Sequence, residues 1–215
     1  MIVVLRLEGA LQSWGEKAKW EVRDTTTMPT KSGIVGLLAC CFGYKRGDPA
    51  IVDLYRRVRL AVRAEKPGSL LYDYHTVEGM PILYNAEGKP KSGGNTIVSK
   101  RYYLQDACFT GFLETDPLLA KEIQEALCNP KWVPFLGRKS CPPSKPIFVE
   151  TVDEYRSLED AAMNYPSEYT SGSSQILIDC DEGLVVRMDQ ISNVSKREFA
   201  QRRLKYLLSS PRREE

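Results

Sequence analysis

An α+β fold is what the sequence predicts, on three observations. Apolar runs of strand length alternate with two segments of helical period, 32–42 and 117–128. Each helical segment is bounded by capping and breaking residues. A glycine-, lysine- and proline-rich stretch at 85–95 separates two strand-like flanks, so it reads as an insert. With the insert set aside, the order is strand, helix, strand, strand, helix, strand. That is the ferredoxin-like or RNA-recognition-motif arrangement.

The elements follow in order. Residues 2–7 (Ile-Val-Val-Leu-Arg-Leu) read as a buried strand, and Leu11 to Gly15 as a turn anchored by Trp14. Residues 16–30 carry mixed charge and three consecutive threonines, so they read as irregular. Thr30 and Ser32 can each cap the helix that follows, and Gly43 ends it. Ile34, Leu37, Leu38 and Cys41 fall at helical spacing, and Gly33 and Gly36 thin the face between this helix and its packing partner. Asp48-Pro49 starts a shorter helix to about Arg57. From Val58 to Ala64, apolar residues alternate with Arg59, Ala61 and Arg63, which predicts a half-buried strand with a basic outer face.

Tyr72–Tyr84 and Thr96–Leu104 predict a long hairpin with a basic tip at 88–95 that orders only on assembly. Gln105–Leu113 reads as a strand. Pro117–Cys128 has Asp116 before it, Asn129-Pro130 after it, and one apolar side. Residues 135–143 form a turn rich in glycine, proline and basic groups, and Ile147–Val149 a short strand. The boundaries expected are a first domain over 1–150, with its insertion near 78–100, and a small β-rich region over 151–215. In the latter, 175–179 and 184–188 read as strands, and 199–208 as strand or helix, with the alternation of Leu204, Tyr206 and Leu208 favouring strand.

Composition narrows the function. No run reaches the roughly 18 apolar residues that span a bilayer. The N-terminus lacks the basic start and cleavage site of a secretory signal, so the expected location is the cytoplasm. Six cysteines without a C-x-x-C pair, and the single histidine His75, give no zinc framework and no cofactor. Net charge is only +2, yet the basic residues cluster. They gather at Lys17–Arg23, Arg56–Arg59, Lys89–Arg101, Arg138-Lys139 and the tail, including Lys91, Arg197, Arg212 and Arg213. Such segregation allows a basic face on a nearly neutral protein.

The chemistry divides into several readings. Thr30-Lys31-Ser32 ends like a phosphate loop, but no glycine lies between Gly15 and Gly33, where that motif needs two, which excludes a Walker site. Cys108 or Cys141 with His75 has no nucleophile spacing. Asp179, Asp181 and Glu182 cluster in a turn, where acids are normally solvated. Tyr72, Tyr74 and His75 could serve acid–base cleavage of RNA, although Tyr74 and His75 would face opposite sides of a strand. Polynucleotide binding needs the fewest assumptions. Lys31 at a helix N-terminus and the turn Gly137-Arg138-Lys139-Ser140 supply cations and backbone donors, and the hairpin tyrosines supply rings.

Five segments, in order, carry a family resemblance. They are Leu5–Gly15, Pro29–Leu38, Asp73–Val77, Arg101–Phe109 and Leu136–Pro142, with a looser match over Arg187–Arg202 that includes Asp189 and Phe199. In these the chain resembles the CasD family, RAMP-superfamily subunits of the type I-E CRISPR Cascade complex. The resemblance implies a modified RNA-recognition-motif fold with a thumb-like hairpin and a small C-terminal β region. It implies a non-catalytic role: holding the 5′ handle of the guide RNA (crRNA) and capping the CasC-like backbone, with a CasA-like large subunit nearby. By position it points to Lys31, Ser32, Arg138, Lys139 and Ser140 as handle contacts, beside Gly137. Lys100 and Arg101 at the thumb base come next, then Arg6 and Gln12. A related subfamily of type I-C systems cleaves its precursor RNA, so a metal-independent endoribonuclease is the alternative.

Overall fold

A computed structural model describes residues 1–17, 21–79, 82–84, 88–90, 96–169, 173–196 and 198–209. In chain order the elements are β1 (Ile2–Glu8), β2 (Leu11–Gln12), β3 (Val22–Arg23), α1 (Lys31–Phe42), α2 (Ala50–Arg57), β4 (Arg59–Lys66), β5 (Ser69–Glu78), β6 (Thr96–Gln105), β7 (Cys108–Glu114), α3 (Pro117–Cys128), β8 (Phe148–Val152), α4 (Leu158–Asn164), β9 (Gln175–Asp179), β10 (Val185–Asn193) and β11 (Glu198–Leu208). They build a seven-stranded sheet in the order β10-β11-β9-β4-β7-β1-β8 and a four-stranded one around β6. No helix among the described residues is long and apolar enough to cross a membrane.

Strands β4-β7-β1-β8 are antiparallel neighbours, which is the sheet that the ferredoxin-like order requires. The sheet does not stop at residue 150. β9 pairs with β4 through Ala61–Ile178, Val62–Leu177 and Arg63–Ile176, and β11 and β10 follow outward. The C-terminal region is β-rich as expected, but its strands continue the first sheet. β4 would otherwise leave an open edge, and the apolar run Ile176-Leu177-Ile178 closes it.

One face of this sheet packs on α1 and α3 through residues such as Leu5, Leu7, Ile34, Leu38, Phe109 and Ile123. The opposite face, with Ile2, Val4, Ala61, Phe112 and Ile178, packs under Leu158, Ala161 and Ala162 of α4. This corrects the expected basic outer face of β4. Arg63 is 2% exposed. Its Nε donates to Glu65 at 2.7 Å, and its terminal nitrogens donate to the carbonyls of Ala162, Tyr165 and Pro166. The sheet face through which an RNA-recognition motif meets RNA is therefore roofed.

α1 forms as its sequence dictates. The Thr30 hydroxyl accepts the Gly33 N–H, and Gly43, at φ 77°, carries the chain out of the helix. Gly33 is needed for close packing, since a Cβ there would lie 2.8 Å from the Trp14 ring. Gly36 is different: a Cβ there meets nothing within 4 Å, so it faces open space rather than a packing partner.

In the second sheet β5 and β6 pair without a bulge from Ser69–Gln105 to Glu78–Thr96. β2 and β3 line the other edge of β6. The strand expected over 105–113 is split, because Asp106, at φ 55°, turns the chain between β6 and β7. Of the hairpin tip, Asn85–Glu87 and Lys91–Asn95 lie outside the described residues, as do Arg197, Arg212 and Arg213.

Candidate nucleic-acid interface

The anion seat at the start of α1 is filled from within the chain. The Lys31 N–H donates to Asp189 Oδ2 at 2.8 Å, and Lys31 Nζ donates to Asp179 Oδ2 at 2.9 Å. Arg202 joins both carboxylates, reaching Asp189 at 2.7 and 2.6 Å and also Asp179. The Lys31 side chain is 8% exposed, and its ammonium sits 4.4 Å from the centre of the Tyr55 ring. Burial holds the ammonium below the ordinary lysine value, against the pull of Asp179. Burial also acts on the Arg202 guanidinium, but the Asp189 hydrogen bonds and Asp179 outweigh it and leave it raised. Arg187, buried beside them, donates to the Met28 carbonyl at 3.1 Å. Lys31 is thus turned inward, where it ties α1 to β9 and β10. This corrects the expectation that its ammonium faces a phosphate.

The second predicted turn also looks inward. Gly137 has φ 87°, and a Cβ there would lie 1.7 Å from the Ser13 carbonyl oxygen. Ser13 N–H donates to the Leu136 carbonyl at 3.0 Å. Arg138 donates to the carbonyls of Tyr102, Arg23 and Asp24 and lies over the Tyr103 ring at 4.8 Å. Its guanidinium clamps this turn to β3 and β6, instead of standing free for phosphate. Lys139 and Ser140 are exposed.

Between these features lies a cleft of about 270 Å³. One wall is the turn Ser13-Trp14-Gly15 with Gly137. A second is the start of α1 (Thr30, Ser32 and Gly33) with Arg46, Gly47 and Ile51. The third is the β10–β11 hairpin, through Ile191, Asn193, Val194 and Phe199. Phe199 is 47% exposed, and Arg46 is exposed. The Lys31–Asp179–Arg202–Asp189 network is what docks β10 and β11 onto α1 and so forms the third wall.

Of the predicted residues, Ser32 and Gly137 line this cleft. Lys139 lines an adjoining groove that shares Arg46 and Ile51 with it. Lys100 stands exposed opposite Tyr74, and Arg101 Nε donates to Ser99 Oγ at 3.1 Å. Both are on the hairpin sheet, apart from the cleft. Arg6 bridges to Glu168 beyond the seven-stranded sheet. Gln12 is fully buried, donating to the carbonyls of Leu7 and Ala107 and accepting from the Trp14 indole. Arg46 and Asn193 were not singled out in the sequence. Arg46 was signalled only by the turn Lys45-Arg46-Gly47.

The catalytic sets that the sequence allowed are not assembled. His75 Nδ1 lies 3.5 Å from Asp73, while Tyr72 and Tyr74 point to the other face of β5. Cys108 and Cys141 are buried. Burial pushes the Cys108 thiol up to about 11 and raises that of Cys141, which disfavours the reactive thiolate. Asp179 is held in the buried network, away from the exposed Asp181 and Glu182. No cluster of three metal-ligating side chains occurs among the described residues.

Residues 2–206 match the family described as CRISPR-associated protein (Cas_Cas5). The chain belongs to the Cas5 family. CRISPR system Cascade subunit CasD of Escherichia coli (strain K12) is 34% identical to this Cas5 protein, with 76% of each chain covered. A crystal structure of a Cas protein superposes with a TM-score of 0.77 at 31% identity, covering 98% of this chain and 96% of that one. A chain of a CRISPR RNA-guided surveillance complex gives 0.80 at 30% identity, covering 98% and 90%. These likenesses extend over the C-terminal strands as well as the ferredoxin-like half.

Proposed function

We propose that this Cas5 protein is the Cascade subunit that holds the 5′ handle of the guide RNA. In this role it caps the CasC-like backbone beside a CasA-like large subunit and does no chemistry on the RNA. The observation that carries this reading is the cleft between the α1 start, the Gly137 turn and the β10–β11 hairpin. There a phosphate meets the Arg46 guanidinium and the Ser32 hydroxyl, and an unstacked base meets the exposed Phe199 ring and the Asn193 amide. Lys139 and Ser140 extend the track on one side, and Lys100 and Arg101 carry it onto the hairpin. Lys31 and Arg138 serve it from behind, by fixing the walls.

Two substitutions test the site in the full chain, assembled with backbone subunits and guide RNA. Arg46→Glu and Lys139→Glu should each lower guide loading and flatten its salt dependence by about one unit of slope per lost phosphate contact. Thermal stability should stay unchanged. Normal loading in both variants would overturn the site. The non-catalytic assignment is tested by incubating pure protein with repeat RNA in the absence of metal. Cleavage that disappears in His75→Ala would replace it with the endoribonuclease reading.

A further inference from the structure

In the cleft of this Cas5 protein the hydrogen-bonding sense of one side chain is fixed by the fold. Asn193 ends β10, and the chain turns from it through Val194, Ser195 and Lys196 toward β11. Asn193 Oδ1 accepts the Lys196 N–H at 3.0 Å, a local side-chain-to-backbone bond of the kind asparagine makes at turns. An N–H can only donate, so the amide atom it meets is the oxygen. The two Nδ2 protons are what Asn193 has left to offer the cleft that it lines.

The rest of the lining offers little to accept a proton. Thr30 Oγ1 already accepts the Gly33 N–H at 3.2 Å, and none of the described lining residues is Asp or Glu. Arg46 only donates, and the Ser32 hydroxyl serves either way. Both of these belong to the phosphate, so the Asn193 amide is the group that meets a base. The exposed Phe199 ring supplies a stacking face beside it. At about 270 Å³ the cleft falls below the roughly 300–1,000 Å³ of drug-sized pockets, so it takes one nucleotide and not a run of them. Uracil and guanine carry a carbonyl oxygen where cytosine and adenine carry an amine, O4 against N4 and O6 against N6. The carbonyl accepts an Nδ2 proton. The amine sets donor against donor and leaves both groups unpaired and out of water.

We infer that the cleft selects one handle nucleotide by its keto group, taking uracil or guanine over cytosine or adenine, and that Asn193 makes the selection. The inference rests on the cleft being where the handle binds.

The test uses the full chain assembled with backbone subunits and guide RNA. Guides with U, C, G or A at each handle position in turn compete for loading, and the bound fraction is sequenced. At one position U should exceed C, and G should exceed A, by about tenfold, the scale of one base contact. The better of U and G names the ring the cleft accepts. Asn193→Asp keeps an oxygen for the Lys196 N–H and replaces the donor with an acceptor, so the preference should reverse toward C and A. Asn193→Ala should level it. No preference at any position, or one that Asn193→Asp leaves in place, would overturn the inference and leave the handle-holding role standing. An equal fall for all four bases in both variants would make Asn193 structural and overturn it too. Normal loading by Arg46→Glu and Lys139→Glu would take the cleft out of the handle's path, and the inference with it.

Discussion

In the seven-stranded sheet Arg63 and Arg202 are buried, and each is surrounded by carboxylates or carbonyls of this same chain. In the hairpin sheet Lys100 is exposed, as are Tyr72, Tyr74 and Leu70 on the same face of its strand pair. The central strands of the first sheet have both faces packed, and Arg63 and Arg202 there are satisfied from within the chain. The second sheet turns one face, with Leu70, Tyr72, Tyr74 and Lys100, outward. A basic residue in this fold therefore says little about ligand binding until its partners are known. In one sheet it closes the structure, and in the other it is left available.

The sharpest way to break that contrast is to remove one cation from each sheet. Arg202→Met leaves Asp179 and Asp189 buried with half their partners gone, and should cost about 3–5 kcal/mol in urea unfolding. Lys100→Met should stay within about 0.5 kcal/mol. Equal losses would refute the distinction. Gly137→Ala should come next, at about 2–3 kcal/mol, because the left-handed backbone and the Ser13 carbonyl both resist a methyl group. A thermal melt that does not move would mean the turn relaxes freely.

Thr30→Ala removes the cap of α1 and should cost about 1 kcal/mol by chemical denaturation. The smallest effect is on pH. Burial pushes the Cys41 thiol up to about 12 and that of Cys108 to about 11, from an ordinary value of 9.0. The unfolded thiols ionise first, so stability is whole well below pH 9.0 and falls as pH rises toward the folded values. Between about pH 8 and about pH 9 the loss should be under about 1 kcal/mol, and Cys41→Ala should remove about half of it. Both cysteines are buried, and β5 and β6 contain none, so the hairpin sheet should add nothing to this slope.

The sequence carried the parts of the fold that are local. Thr30 and Gly43 bound α1 as their types require, and strand alternation marked β11. α4 was missed because it has only 7 residues and lies in a polar segment. Without α4, Arg63 looked like a solvent-facing residue of a half-buried strand. For Lys31 and Arg138 the sequence points to phosphate contacts, because a basic residue at a helix start or beside a glycine has the same local pattern whichever way it points. What decides the direction lies far along the chain: Asp179 is 148 residues from Lys31, and Asp189 is 158 residues from it. The third wall of the cleft comes from those same distant strands, so only its loosely matching Phe199 was visible beforehand.

The pairing of β9 with β4 has a consequence for how the protein is made. Synthesis runs from the N-terminus, so β4 leaves the ribosome long before Ile176–Ile178 exists to cover its edge. Until then the nascent chain holds an exposed strand of core residues and a lysine at the start of α1 whose acids have not yet been translated. Cover of the β4 edge therefore waits for the last strands and requires closure of a long loop rather than growth of any single hairpin. A truncation that removes β9 to β11 would leave the nascent state permanent, with an open sheet edge available to other chains.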